Sequence, residues 1–279
     1  MTTADSFPDS ILNMIGEQAA RELNQMRRIE AQLAEARKRH QFLSELSTYL
    51  KKDWPQHVLA LLNKESQTIK TIDADNQALN DALASIRNTA MEKVAVLQRR
   101  FPAFLDEACK AANLPLDRES RDPQYTFEKG FFTLLIDYQK GRAKLSDYEG
   151  RLHEFPSDVG AVIEYVLTEY KRVFGKPFDG QKFLRKLRNH YLAIIKKDGI
   201  ADGSELPIRR ITTRLGKYEK GFRTDEFIVQ LSRVIAEGPV EIDNRRVDLQ
   251  QTKDSHQGIY LHGLAGRGYI GYITFKEVK

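Results

Sequence analysis

The apolar residues of the first hundred positions recur every seven residues in two consecutive segments. Within each segment they alternate between steps of three and four residues, and most charged residues lie elsewhere. This spacing is typical of a coiled coil, because a stripe that recurs every 3.5 residues stays on one face of a helix. The first seam consists of Leu12, Ile15, Ala19, Met26, Ile29, Leu33, Ala36, Leu43 and Leu50. The second seam consists of Val58, Leu62, Ile69, Ile72, Leu79, Leu83, Ile86, Ala90 and Leu97.

The two segments meet at Trp54-Pro55, which predicts a turn between two helices. Proline ends the first helix because it lacks a backbone N–H and clashes with the preceding turn. Since the segments are similar in length and joined by few residues, the sequence predicts an antiparallel helical hairpin, a coiled coil, over residues 1–112. A two-helix hairpin buries only one stripe per helix, so residues 12–97 are expected to bind a protein partner or to form a homo-oligomer.

Polar residues interrupt both seams, so the seams are poorly suited to form a closed hydrophobic core with each other. Glu22 and His40 break the first seam, and Glu65 and Lys93 break the second. Asn76 also falls at a seam position, where a buried amide would select one register at a cost in stability. The alternative is that Asn76 faces solvent at an imperfect seam. The interruptions favour seams that face a partner.

The remainder of the chain is predicted to be an α+β domain at residues 124–279, after a polar linker bounded by prolines at 113–123. Aromatic and β-branched residues predict one strand over Tyr125–Ile136 and another over 142–152. Three short helices followed by a β-hairpin over 179–251 resemble the element order of a winged helix. A C-terminal β-hairpin is predicted at 258–276.

The positive charge of the chain is concentrated in one block. The net charge is +5 overall, but residues 171–223 hold 15 Lys and Arg against 5 Asp and Glu, a net charge of +10. Such a block indicates a polyanionic partner, most simply nucleic acid. The open alternatives are an acidic protein subunit and a cationic face that only keeps the protein soluble.

Ten cations of the basic domain are the candidate phosphate contacts. In the winged-helix interpretation the arginines at 209, 210 and 214 lie on or beside the middle helix, and those at 245 and 246 lie at the tip of the wing. The third helix begins Thr224-Asp225-Glu226 and offers only Gln230 and Arg233 to read bases, so contact with the nucleic-acid backbone, without sequence specificity, is expected. The candidates are Lys182, Arg185, Lys186, Lys196, Arg209, Arg210, Arg214, Arg245, Arg246 and Arg267.

The sequence motifs that could indicate catalysis or cofactor binding do not lie in the secondary structure that such sites need. The G-x-G-x-x-G sequence at 266–271 is followed by a predicted strand, whereas a dinucleotide site needs a helix there. The E-x-K triplets at 169–171 and 277–279 lie on a predicted helix and at the chain terminus. The six histidines do not fall at metal-ligand spacing. We therefore predict no cofactor, no metal and no catalytic residue, while a metal-dependent nuclease using Asp137 or Glu277 stays the rival hypothesis.

The cellular compartment is predicted from segments that the sequence lacks. The single cysteine, Cys109, excludes an internal disulfide and favours a reducing compartment. The sequence contains no basic stretch followed by an apolar run, so we predict no signal peptide. It also contains no apolar run of 18 residues, so we predict no membrane span. Together these features predict a cytoplasmic, non-enzymatic adaptor of a multiprotein complex, with no contact to a membrane. A purely structural assembly protein is the third possibility.

Overall fold

The computed structural model describes residues 8–66, 68–69, 76–263 and 268–278. The chain divides into two compact units, Met1–Arg99 and Arg100–Lys279, which we describe separately as unit 1 and unit 2. The fold contains both helices and antiparallel sheets, as the sequence predicts. The division falls within one helix, upstream of the linker predicted at 113–123.

Three helices of unit 1 lie in the part of the chain that the structure describes with defined ends. The first helix ends where Asp53 adopts a positive φ of 52°, and Pro55 opens the second, where its missing N–H is tolerated. The helices pack around a small apolar core. The core residues are Phe42, Leu46, Val58, Leu61, Leu62, Leu83 and Ala90. The helices are α1 Asp9–Lys51, α2 Pro55–Lys64 and α3 Gln77–Ala111.

The first seam does not form the core of unit 1, contrary to the predicted hairpin. Helix α1 contributes Phe42 and Leu46 to the core, with Tyr49 packed against it, and none of these belongs to the seam. The seam residues Leu43 and Leu50 remain 37% and 45% exposed. The core instead forms where the C-terminal part of α1 packs against the ten-residue α2 and against α3.

The prediction that the second segment forms one continuous helix is also wrong. Helix α2 ends at Lys64, and α3 begins at Gln77. Asn76 is exposed and caps α3, because its side-chain oxygen accepts a hydrogen bond from the Leu79 N–H at 3.1 Å. Its role is therefore to start a helix, not to select the register of a seam.

Helix α3 continues through Pro102, although a proline in a helix interior normally interrupts the helix. Phe101, Leu105 and Cys109 follow one another at four-residue spacing on one face, and each is at most 1% exposed. Burial of this face outweighs the lost backbone hydrogen bond at the proline, which costs about 3 kcal/mol in a helix interior.

The core of unit 1 is expected to depend on Phe42. Truncation by Phe42→Ala removes the largest core side chain contributed by α1, so it should lower the free energy of unfolding of unit 1 by about 3 to 5 kcal/mol. Trp54, the only tryptophan, is 8% exposed in this unit, so its fluorescence during urea titration measures the change. The control Met14→Ala, at a side chain 64% exposed, should change it by less than about 0.5 kcal/mol.

The first sheet of unit 2 is a four-stranded antiparallel meander. The segment 125–136, predicted as one strand, forms two, because Glu128, Lys129 and Gly130 take positive φ angles and turn the chain. The predicted linker 113–123 packs onto this sheet, where the Asp117 N–H donates to the Thr126 carbonyl at 2.9 Å. In sheet order the strands are β1 Gln124–Phe127, β2 Phe132–Asp137, β3 Arg142–Ser146 and β4 Arg151–Pro156.

Four helices follow the first sheet in unit 2. Local sequence signals mark their limits, as the Asp179 cap and Gly199 do for the second of them. The Asp179 side chain accepts a hydrogen bond from the Lys182 N–H at 2.9 Å. The helices are α4 Val159–Phe174, α5 Gly180–Asp198, α6 Ile208–Tyr218 and α7 Thr224–Glu237.

The second sheet of unit 2 has the order β5-β9-β7-β6, with β8 paired to β9. The turn between β6 and β7 consists of Asp243 and Asn244, both at positive φ, so Arg245 and Arg246 lie in a strand and not at a hairpin tip. The predicted hairpin at 258–276 exists between β8 and β9, but β9 pairs mainly with β7. The strands are β5 Leu206–Pro207, β6 Glu241–Ile242, β7 Arg245–Thr252, β8 Ile259–Tyr260 and β9 Tyr269–Glu277.

Candidate nucleic-acid interface

Helix α5 presents a cationic stripe on the face opposite its apolar side. Lys182, Arg185 and Lys196 are exposed, and none of them forms an ion pair with another described residue. Their spacing of three and eleven residues places them on one side of the helix. The buried side consists of Phe183, Leu184, Leu187, Tyr191, Ile194 and Ile195.

Helix α6 adds a second cationic stripe beside the first. Arg210 and Lys217 are exposed, and Arg214 lies between them on the same side, with its guanidinium 4.5 Å from the ring centroid of Tyr218. The Tyr218 ring is 60% exposed. Arg210 forms an ion pair at 2.6 Å with Asp198, the last residue of α5, so the two stripes adjoin at this point.

Ion pairs within unit 2 neutralise about half of the basic block 171–223. Seven of its fifteen cations pair with carboxylates: Arg172, Lys176, Lys186, Arg188, Arg209, Arg210 and Arg223. The other eight have no ion pair with a described residue, and seven of them lie on α5, on α6 or directly after α6. These eight are Lys171, Lys182, Arg185, Lys196, Lys197, Arg214, Lys217 and Lys220. Ion pairing therefore leaves most of the unpaired positive charge of the block on α5, on α6 and directly after α6.

Several predicted phosphate contacts are engaged inside unit 2. Arg209 donates to both carboxylate oxygens of Glu149, at 2.8 and 3.2 Å, and to the Gly258 carbonyl at 2.8 Å. Lys186 pairs with Glu219 at 3.0 Å. Such groups are less available for phosphates than the unpaired lysines.

The remaining predicted contacts lie in the second sheet of unit 2 or outside the described residues. Arg245 pairs with Asp202 at 3.0 Å and donates to the Phe275 carbonyl at 3.2 Å. Arg246 is exposed on β7 and has no ion pair with a described residue. Arg267 lies outside the described residues. The arginines of β7 are therefore not part of the stripes on α5 and α6.

Helix α7, the third helix of the predicted winged helix, is largely covered. Its residues Phe227, Ile228, Val229 and Leu231 are each at most 3% exposed, although they point to different sides of the helix. The possible base reader Arg233 stacks on the Phe178 ring at 4.2 Å. The helix therefore has no free polar face to enter a DNA groove.

A buried charged network at the start of α7 was not identified from the sequence. Arg172 of α4 donates to Asp225 at 2.5 Å and to Glu169, which in turn contacts His153 at 2.7 Å. Burial alone would raise the pKa of Asp225, but the hydrogen bonds from Arg172 and Arg223 hold that pKa well below its usual range. The i,i+3 spacing of Glu169 and Arg172 was the only sequence signal. The network joins α4 to α7 and has the form of a structural ion-pair cluster.

Asp147, in the turn between β3 and β4, has a raised pKa, whereas that of Asp225 is lowered. Burial raises the pKa of Asp147 to about 6, and the hydrogen bond shared with Asp225 adds to that increase. The folded protein therefore holds a proton that the unfolded chain releases between about pH 4 and 6. Stability falls as the pH rises through this window, and above it the buried charge remains unfavourable.

The substitution Asp147→Asn is expected to stabilise unit 2 at neutral pH. The asparagine oxygen can still accept from the Glu149 and Gly150 N–H groups, at 2.8 and 2.9 Å, and its amide can donate to Asp225. Thermal unfolding at pH 7.5 should show a gain of about 1 to 2 kcal/mol that vanishes below about pH 4. Asp254→Asn, at an exposed turn aspartate that accepts from the His256 N–H at 2.8 Å, is the control without gain.

The groups proposed for enzymatic chemistry are dispersed. Within the described ranges no three His, Cys, Asp or Glu side chains are close enough to hold a metal ion. Asp137 lies at the end of β2 beside Lys140, and Glu277 lies opposite Arg245 in the backbone register of β9 and β7. Cys109 is 1% exposed, and burial raises the pKa of its thiol to about 12, so it is not a reactive nucleophile.

Among the helices that the structure describes, none has both the length and the apolar composition needed to cross a bilayer. Comparisons of the chain with models of protein families, with curated proteins and with solved structures found no match.

Proposed function

We propose that this protein is a non-enzymatic adaptor that binds the backbone of nucleic acid through the cationic stripes of α5 and α6. The observation that carries the proposal is the concentration of unpaired cations on these two neighbouring helices. Lysines and arginines on one surface bind phosphates by releasing condensed counterions, and this attraction requires no particular sequence. The exposed ring of Tyr218 beside Arg214 suits stacking against a base or a sugar.

The order of elements in unit 2 supports a winged-helix interpretation of this surface. Helix α5, strand β5, helices α6 and α7, and strands β7 and β9 follow one another in the order of that architecture, with β5 and β7 both paired to β9. The usual recognition helix corresponds to α7, which is buried. We therefore infer contact through the outer faces of α5 and α6, with little discrimination among base sequences.

Self-association through the first seam is the second part of the proposal. Residues 8–38 are exposed throughout, and Leu12, Ile15, Met26 and Ile29 are 53 to 61% exposed. An apolar stripe this long on one helix is a protein-binding surface, and its 3.5-residue repeat fits a coiled coil with a second copy of the chain.

The charges beside the first seam are compatible with a parallel pair of α1 helices. In that alignment Gln25 meets Glu30 of the second copy and Gln32 meets Arg37, so no like charges oppose each other at these flanking positions. Glu22 would meet its own counterpart within the seam, which weakens the pair. Two joined copies bind nucleic acid more tightly than one, because the first contact raises the effective concentration of the second surface.

The test of the proposed function is a salt titration of binding. Fluorescence anisotropy with a labelled DNA duplex of mixed sequence, at 50 to 300 mM salt, should give affinities that fall steeply with salt and hardly vary between sequences. Binding only to an acidic protein would favour the second candidate, an adaptor between protein subunits in the cytoplasm. Assembly without any binding to polyanions would favour the purely structural role.

A further inference from the structure

A half-open cavity lies where α5 meets the α6–α7 loop and the start of α7. Its volume is about 150 Å³. An engineered cavity of about the same volume in another protein binds benzene, so the space suits one six-membered ring. The lining residues on which the argument rests are Phe183, Glu219, Lys220, Phe222, Phe227 and Gln230.

Three aromatic rings form the apolar wall of the cavity. The ring centroid of Phe227 lies 5.6 Å from that of Phe183 and 6.0 Å from that of Phe222, and the ring planes are inclined by 49° and 57°. Phe183 and Phe227 are buried, whereas Phe222 is partly exposed at the loop. Inclined rings with an open side offer a flat guest both a face and an edge to contact.

Polar side chains also line the cavity. The Gln230 amide lines it without a hydrogen bond to another described residue, so it can both donate and accept. Glu219 and Glu226 are neutralised by Lys186 and Lys176, at 3.0 and 2.7 Å. A ring with polar atoms on its edge fits this combination better than a purely apolar ring.

The rim of the cavity is cationic. Lys220 lines it and has no ion pair with a described residue. Lys182 lies one turn before Lys186 on the same face of α5, and Arg185 directly precedes Lys186. Phosphates attached to a ring inside the cavity would therefore meet unpaired charges of the α5 stripe.

We propose that the cavity receives an unpaired base of single-stranded nucleic acid, with the adjoining phosphates on the α5 stripe. The inference rests on the proposed function and deepens it, because it makes single strands with accessible bases the preferred ligand. A base inside a duplex is stacked and paired, and cannot enter. A pyrimidine ring matches the volume best.

The test compares three labelled probes in fluorescence anisotropy at constant salt. They are an oligothymidine of about twelve nucleotides, an abasic strand of equal length, and a blunt duplex. The full chain should bind the oligothymidine about tenfold more tightly than the abasic strand, within the range of base–aromatic stacking. Phe222→Ala should abolish this difference and leave the affinity for the duplex within about twofold. Phe104→Ala, a partly buried phenylalanine of α3 that does not line the cavity, is the matched control.

The outcomes separate this inference from the proposed function. Equal affinities of the full chain for oligothymidine and abasic strand would overturn the proposed role of the cavity. If binding still depended on salt, the proposed contact with the nucleic-acid backbone would stand. Binding to none of the three probes would overturn both. If Phe222→Ala does not fold, Gln230→Leu retains the volume and should reduce the preference for thymidine; an unchanged preference would contradict the role of the cavity.

Discussion

Reversal of the α5 stripe by Lys182→Glu, Arg185→Glu and Lys196→Glu is expected to lower the affinity for duplex DNA about 100-fold at 50 mM salt. Each of these side chains is exposed and has no ion pair with a described residue, so its charge is available to phosphates. Loss of three phosphate contacts should also reduce the slope of log affinity against log salt by about three. Anisotropy titrations of wild type and variant measure both quantities.

A control with the same change in net charge distinguishes the stripe from general attraction. Lys110, Lys140 and Arg151 are exposed in unit 2, but each has a carboxylate partner and none lies on α5 or α6. Their reversal to glutamate should lower the affinity by less than about fivefold, because distant charges are screened by salt. Equal losses in the two triple variants would refute a specific surface on α5 and α6.

Charging the first seam by Ile29→Asp and Leu33→Asp is expected to convert the assembly into monomers at micromolar concentration. These positions are 54% and 47% exposed in the single chain, so the substitutions cost little within one molecule. In a coiled coil each side chain inserts between residues of the facing helix, where an unpaired carboxylate loses its hydration. Light scattering coupled to size-exclusion chromatography measures the mass.

The matched control places the same charges on the outer side of the same helix. Ala31→Asp and Ala34→Asp fall at heptad positions away from the first seam and should leave the mass unchanged. In the opposite direction, Glu22→Leu repairs the seam and should shift assembly to lower concentration. A wild-type chain that is monomeric at micromolar concentration would contradict self-association through this seam.

Local order in this chain was predictable from the sequence. The helices α4, α5 and α7 coincide with apolar stripes in the sequence, and Asp179 caps α5, because periodicity and capping depend on residues close in sequence. The concentration of charge in 171–223 was likewise visible from the residue types alone. These properties belong to segments of at most a few tens of residues.

The choice among competing surfaces needed the tertiary structure. Helix α1 has two apolar faces, and only packing against α2 and α3 decided that Phe42 and Leu46 enter the core while the first seam stays exposed. Similarly, Arg209 pairs with Glu149 and Arg172 with Asp225, in each case more than fifty residues apart, so no local pattern reveals which cations are neutralised.

The sequence by itself determined where apolar stripes run, as in α4, α5 and α7, and how much charge each region carries. The tertiary structure decided which stripe is buried, that α7 is covered, and which cations of α5 and α6 remain unpaired. The physical reason is that burial and ion pairing are properties of residues brought together from distant positions. The surface that we propose to bind nucleic acid is therefore what remains after those distant pairs have formed.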